Sequence, residues 1–301
     1  MGSGLIAGVE LGGTKCVCTL ARGREVVDQA RVATTSPEAT LGGLRAVLDR
    51  WWAERGFEAV GVASFGPIEL DPASPAYGSI TETTKPQWPR TDVLGRLSRG
   101  FDVPTAFDTD VNGAAFAEMA WGAGQGMEDF AYITVGTGVG VGLIVNGRPT
   151  RGFAHCEMGH IPIPRLPGDD WEGACSYHGG CVEGLASGHA IEARLAGRDV
   201  GAVPADDPLW DGVAHALAML CHVIVVTAAP RRIVVGGGVI DRQPHLLPRI
   251  EPLLRESMAG YMPLPDAGAY VTAPGLGALA GPLGPIALAQ AALDRGDRAR
   301  I

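Results

Sequence analysis

Residues 108–112, Asp-Thr-Asp-Val-Asn, put two carboxylates and an amide where an apolar strand gives way to a helical pattern. A carboxylate so placed can take the proton of a hydroxyl as that hydroxyl attacks phosphorus, which makes Asp110 the candidate base. The bland role for these residues is a helix N-cap. The base reading gains from the rest of the chain, where two apolar runs break into glycine and threonine at residues 8–15 and 133–140. Successive backbone N–H groups in a tight turn form an anion-binding concavity, and glycine lets a phosphate approach without a Cβ in the way. Gly12, Gly13, Thr14 and Lys15 are the first candidate phosphate loop, and Thr134, Gly136, Thr137 and Gly138 the second. Gly236, Gly237 and Gly238 follow a buried-type strand and make a third. None matches the Walker or the dinucleotide fingerprint. Phosphate cradles with a carboxylate are the equipment of phosphoryl transfer.

A second constellation suits a metal. Cys175-x-x-His178-x-x-Cys181 offers three soft or borderline ligands in one short glycine-rich loop, with Glu157-x-x-His160 just upstream. Tetrahedral zinc wants a fourth ligand, and His160, with His155 and Cys156 as rivals, is the candidate. A closed set of four leaves no position for water, so this zinc would be structural. Glu157, His160 and Glu183, fixed around such a loop, could hydrogen-bond several hydroxyls of a sugar. A His160 bound through one ring nitrogen keeps the other for a sugar or a carboxylate.

The elements that must position these groups alternate between strand and helix. Residues 5–20 read as a hairpin about the Gly-Gly turn, with Cys16, Cys18 and Leu20 on one face. Ser36-Pro37-Glu38 opens a helix whose stripe is Leu41, Leu44, Leu48 and Trp51. Strands are expected at 60–63, running into Ser64-Phe65-Gly66-Pro67, and at 106–108, followed by a helix over 112–119. The second half offers a strand at 130–135, a hairpin over 139–145, an irregular stretch from 152 to 188, a helix over 208–229 and a strand at 232–235. A last helix covers 285–293. This order predicts an α/β fold with polar residues at strand ends. Leu11-Gly12-Gly13-Thr14 parallels Val135-Gly136-Thr137-Gly138, which hints at a duplicated fold. The expected division is a first domain over 1–115, completed by 285–301, and a second over 116–284, with a hinge near 116–128.

Composition narrows the class. The chain has 301 residues, 46% hydrophobic and 19% charged, enough for two domains with cores of their own. Its net charge is −9 with no basic cluster, which argues against a nucleic-acid partner. No uninterrupted apolar run reaches the ~18 residues of a membrane span. Met1-Gly2-Ser3-Gly4 run into a strand without a charged leader or cleavage signal, so the expected location is cytoplasmic. Six cysteines are too few for a disulfide scaffold and fit metal chemistry in a reducing compartment.

Together these residues resemble the ROK family of sugar kinases, and within it the bacterial fructokinase branch, from Gly8 to about residue 293. Residues 10–15 are similar to the family's first phosphate loop, with Glu10 where these kinases carry Asp, and residues 134–142 to its second. Glu157-Met158-Gly159-His160 resembles the sugar-and-zinc motif, residues 175–183 the zinc loop with a sugar carboxylate, and residues 236–238 the loop under the adenosine. The resemblance implies an actin-like ATPase (ribonuclease H-like) duplicated fold, two domains around a cleft that holds ATP and closes on sugar. It implies Asp110 as base, magnesium with ATP, and structural zinc on His160, Cys175, His178 and Cys181. The sugar side takes Gly66, Thr109, Asn112, Glu157, His160 and Glu183. Thr109 and His178, where glucokinase-type members carry Asn and Cys, match the fructokinase branch.

The expected activity is therefore transfer of the ATP γ-phosphoryl group to the 6-hydroxyl of D-fructose by a homodimer. Kinases of mannose, glucose or N-acetylhexosamine are the alternatives, with the 1-hydroxyl as the other acceptor position. A sugar-responsive regulator of the same family needs a DNA-binding segment, normally ahead of the first phosphate loop, which Met1 to Ile6 are too short to provide.

Overall fold

An apolar run broken by two glycines folds back on itself, giving β1 (Ile6–Leu11) antiparallel to β2 (Lys15–Arg22). A computed structural model describes residues 4–294 of the chain. Its first unit takes in Met1–Gln125, Thr150–His155 and Ala278–Ile301, and its second Gly126–Pro149 and Cys156–Gly277.

In the first unit β3 (Glu25–Ala33) extends the hairpin, and β4 (Ala59–Ser64) and β5 (Thr105–Thr109) add parallel strands in the order β3-β2-β1-β4-β5. β3 has no clear periodicity in sequence because it is a half-exposed edge strand carrying Asp28, Gln29 and Arg31. Helix α1 (Pro37–Glu54) starts where Ser36 accepts a hydrogen bond from Ala39 N and proline takes the first helical position. It buries Leu41, Leu44, Leu48 and Trp51 on the sheet, the stripe expected from spacing. The short α2 (Leu94–Ser98) precedes β5, and α3 (Asp110–Trp121) follows it directly.

The last helix of the chain, α9 (Ala280–Asp294), returns to this unit and packs on β1, β4 and α3. Small residues allow the approach: a Cβ on Gly61 would lie 1.8 Å from the Pro285 carbonyl oxygen, and Gly284 lies against Gly113. The hinge expected near 116–128 falls where α3 runs on to Trp121, and the division comes after Gln125. Residues 1–3 and 295–301, included in the expected first domain, lie outside the described residues.

The second unit repeats the plan. β6 (Phe130–Val135) pairs antiparallel with β7 (Val139–Val145), which pairs with the two-residue β8 (Arg148–Pro149). On the other side β9 (Ile233–Gly236) and β10 (Val271–Thr272) are parallel, so the order β8-β7-β6-β9-β10 matches that of the first unit. The duplicated α/β fold read from two glycine turns is thus a duplication of strand order and direction. Helices α4 (Val182–Ala186), α5 (Gly188–Leu195), α6 (Leu209–Ala228), α7 (Gly238–Arg242) and α8 (Leu247–Met258) surround this sheet. α6 corrects one expectation. It is long and apolar enough to match a membrane span, which a search for unbroken apolar runs misses because polar residues such as His215 and His222 interrupt it. Most of it is buried in the unit's core, which accounts for its composition.

Candidate functional site

Strand register gathers the candidate residues of the first unit at one sheet edge. Leu11 of β1 pairs with Ser64 of β4, and Ser64 with Thr109 of β5. Gly12, Phe65-Gly66 and Asp110 therefore all follow the carboxyl ends of neighbouring parallel strands, the edge where open α/β sheets bind ligands. With neighbouring strands ~4.8 Å apart, the first loop and Asp110 stand roughly 10 Å from each other across β4.

Asp110 is the first residue of α3, half-exposed, with Oδ1 accepting from Val111 N at 2.9 Å. The residues beside it are engaged in holding it. Thr109 is buried and caps α3, its hydroxyl accepting from Asn112 N at 3.2 Å. Asn112 is buried too, and its side-chain amide donates to Asp108 Oδ1 at 2.7 Å. Asp108 is fully buried and also meets Thr109 N at 2.8 Å and the Arg151 guanidinium at 2.7 Å. Burial pushes its carboxyl up, against the pull of Arg151 and the hydrogen bonds from Asn112 and Thr109. Thr109 and Asn112, expected on the sugar, make these hydrogen bonds within the turn that opens α3. Arg151 carries no sequence signal, since it reaches Asp108 from a segment 43 residues away.

In the first loop the carbonyls are held from behind. Thr34 donates its hydroxyl to Gly12 O at 2.8 Å and its N–H to Thr14 O at 3.1 Å, and the Lys85 ammonium donates to Gly13 O. A Cβ on Gly12 would meet the Lys15 carbonyl oxygen at 2.6 Å, whereas one on Gly13 would meet nothing within 4 Å. The turn is tight at Gly12 and open at its tip. Glu10, one residue before Leu11, has its carboxyl pushed up to about 7 by burial, with the Lys15 charge opposing.

The second loop is tied down in the same way. Gly136 O accepts from Gly188 N at 2.7 Å and Thr137 O from His189 N at 3.4 Å, both at the start of α5, while Gly138 O accepts from Gly136 N at 2.9 Å. Glu183 of α4 lies against this loop. Its Oε2 accepts from Val139 N at 3.0 Å and occupies the space a Cβ on Gly138 would take. Its Oε1 stands 3.9 Å from His160 Nε2. Glu157 precedes the 3-10 turn Met158–His160, which is pressed so closely on β7 that a Cβ on Gly159 would meet Val139 O at 2.0 Å.

The other side of His160 faces the sulfurs. Nδ1 is 3.6 Å from Cys175 Sγ and 3.8 Å from Cys181 Sγ, and Cys175 Sγ is 3.7 Å from His178 Nδ1. The four ligand atoms lie within 4.8 Å of one another. Zinc bonds of ~2.3 Å to sulfur and ~2.0 Å to nitrogen, set tetrahedrally, separate the two ligand atoms by roughly 3.5 Å, close to the spacings found. His155 does not join them: its Nε2 accepts from Ile68 N at 3.0 Å in the first unit. All six cysteines are free thiols.

At the third loop Gly236 ends β9 and Gly238 opens α7. Gly237 has φ +96°, and a Cβ there would meet Thr134 Oγ1 at 2.7 Å. Thr134 thus packs against Gly237, and both glycine positions are demanded by close approach, Gly236 to Pro274 and Gly237 to β6.

Comparison with known proteins places this geometry in context. The ROK family model matches residues 6–292. A fructokinase of Pediococcus pentosaceus is 39% identical, with 96% of this chain and 99% of that protein covered. A fructokinase of Zymomonas mobilis is 42% identical over 94% of this chain and 96% of its own. The crystal structure of a ROK family glucokinase from Streptomyces griseus, in complex with glucose and AMPPNP, superimposes with a TM-score of 0.76 at 25% identity, covering 95% of this chain and 99% of that one.

Proposed function

The chain belongs to the ROK family, and from that premise we propose that it is an ATP-dependent fructokinase acting on the 6-hydroxyl of D-fructose. The observation that carries this reading is full-length likeness to fructokinases. The sheet-edge arrangement supports it. As the fructose O6 attacks, the Asp110 carboxylate takes its proton. The new bond joins O6 to the γ-phosphorus, the bond to the β–γ bridging oxygen breaks, and ADP departs with that electron pair. Amides of the loop at 12–15 and those of Thr137 and Gly138 would receive the phosphate oxygens, the Gly136 N–H being spent on Gly138 O. Gly236, Gly237 and Gly238 would lie under the adenosine. Magnesium bound with the triphosphate supplies positive charge to an acidic chain, and Glu10 is the carboxylate that would hold it through water.

On the sugar side Glu157, His160 and Glu183 take the hydroxyls, with Gly66 opposite Asp110 across the strand ends. The donor set and spacing of His160, Cys175, His178 and Cys181 fit zinc. Held through Nδ1, His160 keeps Nε2 for the sugar or Glu183, so the metal's contribution is to fix the sugar-binding groups. A homodimer is the assembly the family implies, and light scattering reads it directly.

The test is ADP release with and without D-fructose, for wild type and Asp110→Ala. Wild type releases ADP only with the sugar. Asp110→Ala falls by about 10²–10⁴-fold while binding both substrates as before. Retention of more than about a tenth of wild-type turnover would defeat the base assignment.

A further inference from the structure

The first phosphate loop has a second lysine that its motif does not contain. The chain has 22 arginines and only two lysines, Lys15 and Lys85. Both come to the same turn: Lys15 closes it in sequence, and Lys85 reaches it from a loop 72 residues away to donate to Gly13 O. Among the described residues at least eleven arginines are paired with carboxylates. Lys85 has no carboxylate partner among the described residues, and its ammonium meets only that neutral carbonyl and, at 5.7 Å from the centroid, the face of Phe65.

The position is built. Trp88, three residues on, is fully buried, stacks edge-on against Phe65 at 5.2 Å and donates its indole N–H to Thr35 O at 2.8 Å. Thr34, the preceding residue, is the one that holds the carbonyls of Gly12 and Thr14. One segment therefore anchors both the phosphate turn and the loop that carries Lys85.

Direction follows from strand order. Phe65 directly succeeds β4, which lies between β1, bearing the turn, and β5, bearing Asp110. The Lys85 ammonium thus stands on the side of the turn toward the base. An ammonium has three donors, so one can stay on Gly13 O while the others meet phosphate oxygens. Resting on the kinase reading above, we propose that Lys85 is a catalytic residue that binds the γ-phosphoryl group of ATP and stabilises its charge during transfer. No bond to Lys85 is made or broken, and the proton still goes to Asp110.

The experiment compares wild type with Lys85→Met and, as a second variant, Lys85→Gln, each checked for an unchanged melting temperature. Titration calorimetry with ADP and with a non-hydrolysable ATP analogue is run beside steady-state kinetics. The proposal expects kcat/KM for ATP to fall by about 10²–10³-fold with the fructose KM little changed. It also expects analogue affinity to drop at least tenfold while ADP affinity stays within about threefold. Equal losses for ADP and the analogue would mean that Lys85 only supports the turn, and unchanged kinetics would mean that it does neither; both overturn the proposal. Absence of sugar-dependent ADP release in wild type itself would sink the kinase reading and this proposal together, an outcome distinct from an active wild type with an equally active Lys85→Met.

Discussion

A carboxyl at position 10 that titrates near neutrality ties stability to pH. Burial raises the Glu10 pKa from 4.5 to about 7. The folded chain then holds this proton more tightly than the unfolded one. Its favourable contribution is complete below about pH 4.5 and is lost as pH rises through about 7. In EDTA and without nucleotide, Glu10→Gln is therefore expected to gain stability relative to wild type between pH 5 and pH 8, by on the order of 2 kcal/mol. Urea unfolding at the two pH values measures it, and a gap independent of pH would contradict the buried carboxyl.

Asp108 makes a second residue-scale case. Arg151→Met leaves a buried carboxyl without its cation, which is expected to cost about 3–5 kcal/mol in urea unfolding. A loss under 1 kcal/mol would mean that burial already holds Asp108 protonated, against its hydrogen-bond donors. At this scale the sequence was readable wherever only one residue type would serve. The turn at Gly12 needs glycine, and the ligand atoms of Cys175, His178 and Cys181 come together with that of His160. The cap made by Thr109 and the bond from Asn112 to Asp108 were less legible, because a hydroxyl or amide at a strand end looks the same whatever it bonds. The contact of Lys85 with Gly13 O was not legible, because its sequence neighbours say nothing of a turn 72 residues away.

Among the elements, α9 depends on a close approach. Gly61→Ala pushes a methyl against the Pro285 backbone, which cannot swing aside as a side chain would. The expected cost is about 3 kcal/mol, at the upper end for overpacking, read by thermal or urea unfolding. A neutral result would show that α9 shifts freely on β4. For the metal, freshly purified protein is expected to hold one zinc per chain by elemental analysis and to lose it in Cys175→Ser. No zinc in wild type would refute the site. The apolar stripe of α1 and the strands at 60–63 and 130–135 were legible because each buries a full face. The edge strand β3 was not, since partial burial leaves weak periodicity; nor was α8, amphipathic with Ile250, Leu254 and Met258 on its buried face, because Pro248 and Pro252 read as breaks.

For the molecule as a whole, two short glycine turns foretold a duplication that the strand orders make plain, each turn joining the first two strands of its unit. The register of those strands carries what no motif records, namely that Gly12, Gly66 and Asp110 open from one sheet edge. With a net charge of −9, the chain's overall field would not attract an anionic nucleotide, so in the proposed kinase that task falls to local amides and cations. Choice of sugar is the property that the whole site decides together. It is measured most directly by competition: D-fructose, D-mannose, D-glucose and N-acetylglucosamine at equal concentration in one tube, limiting magnesium-ATP, and phosphorus NMR of the products. Fructose 6-phosphate is expected to take most of the phosphate. A product mixture led by another hexose phosphate, by fructose 1-phosphate, or by inorganic phosphate alone would contradict the account.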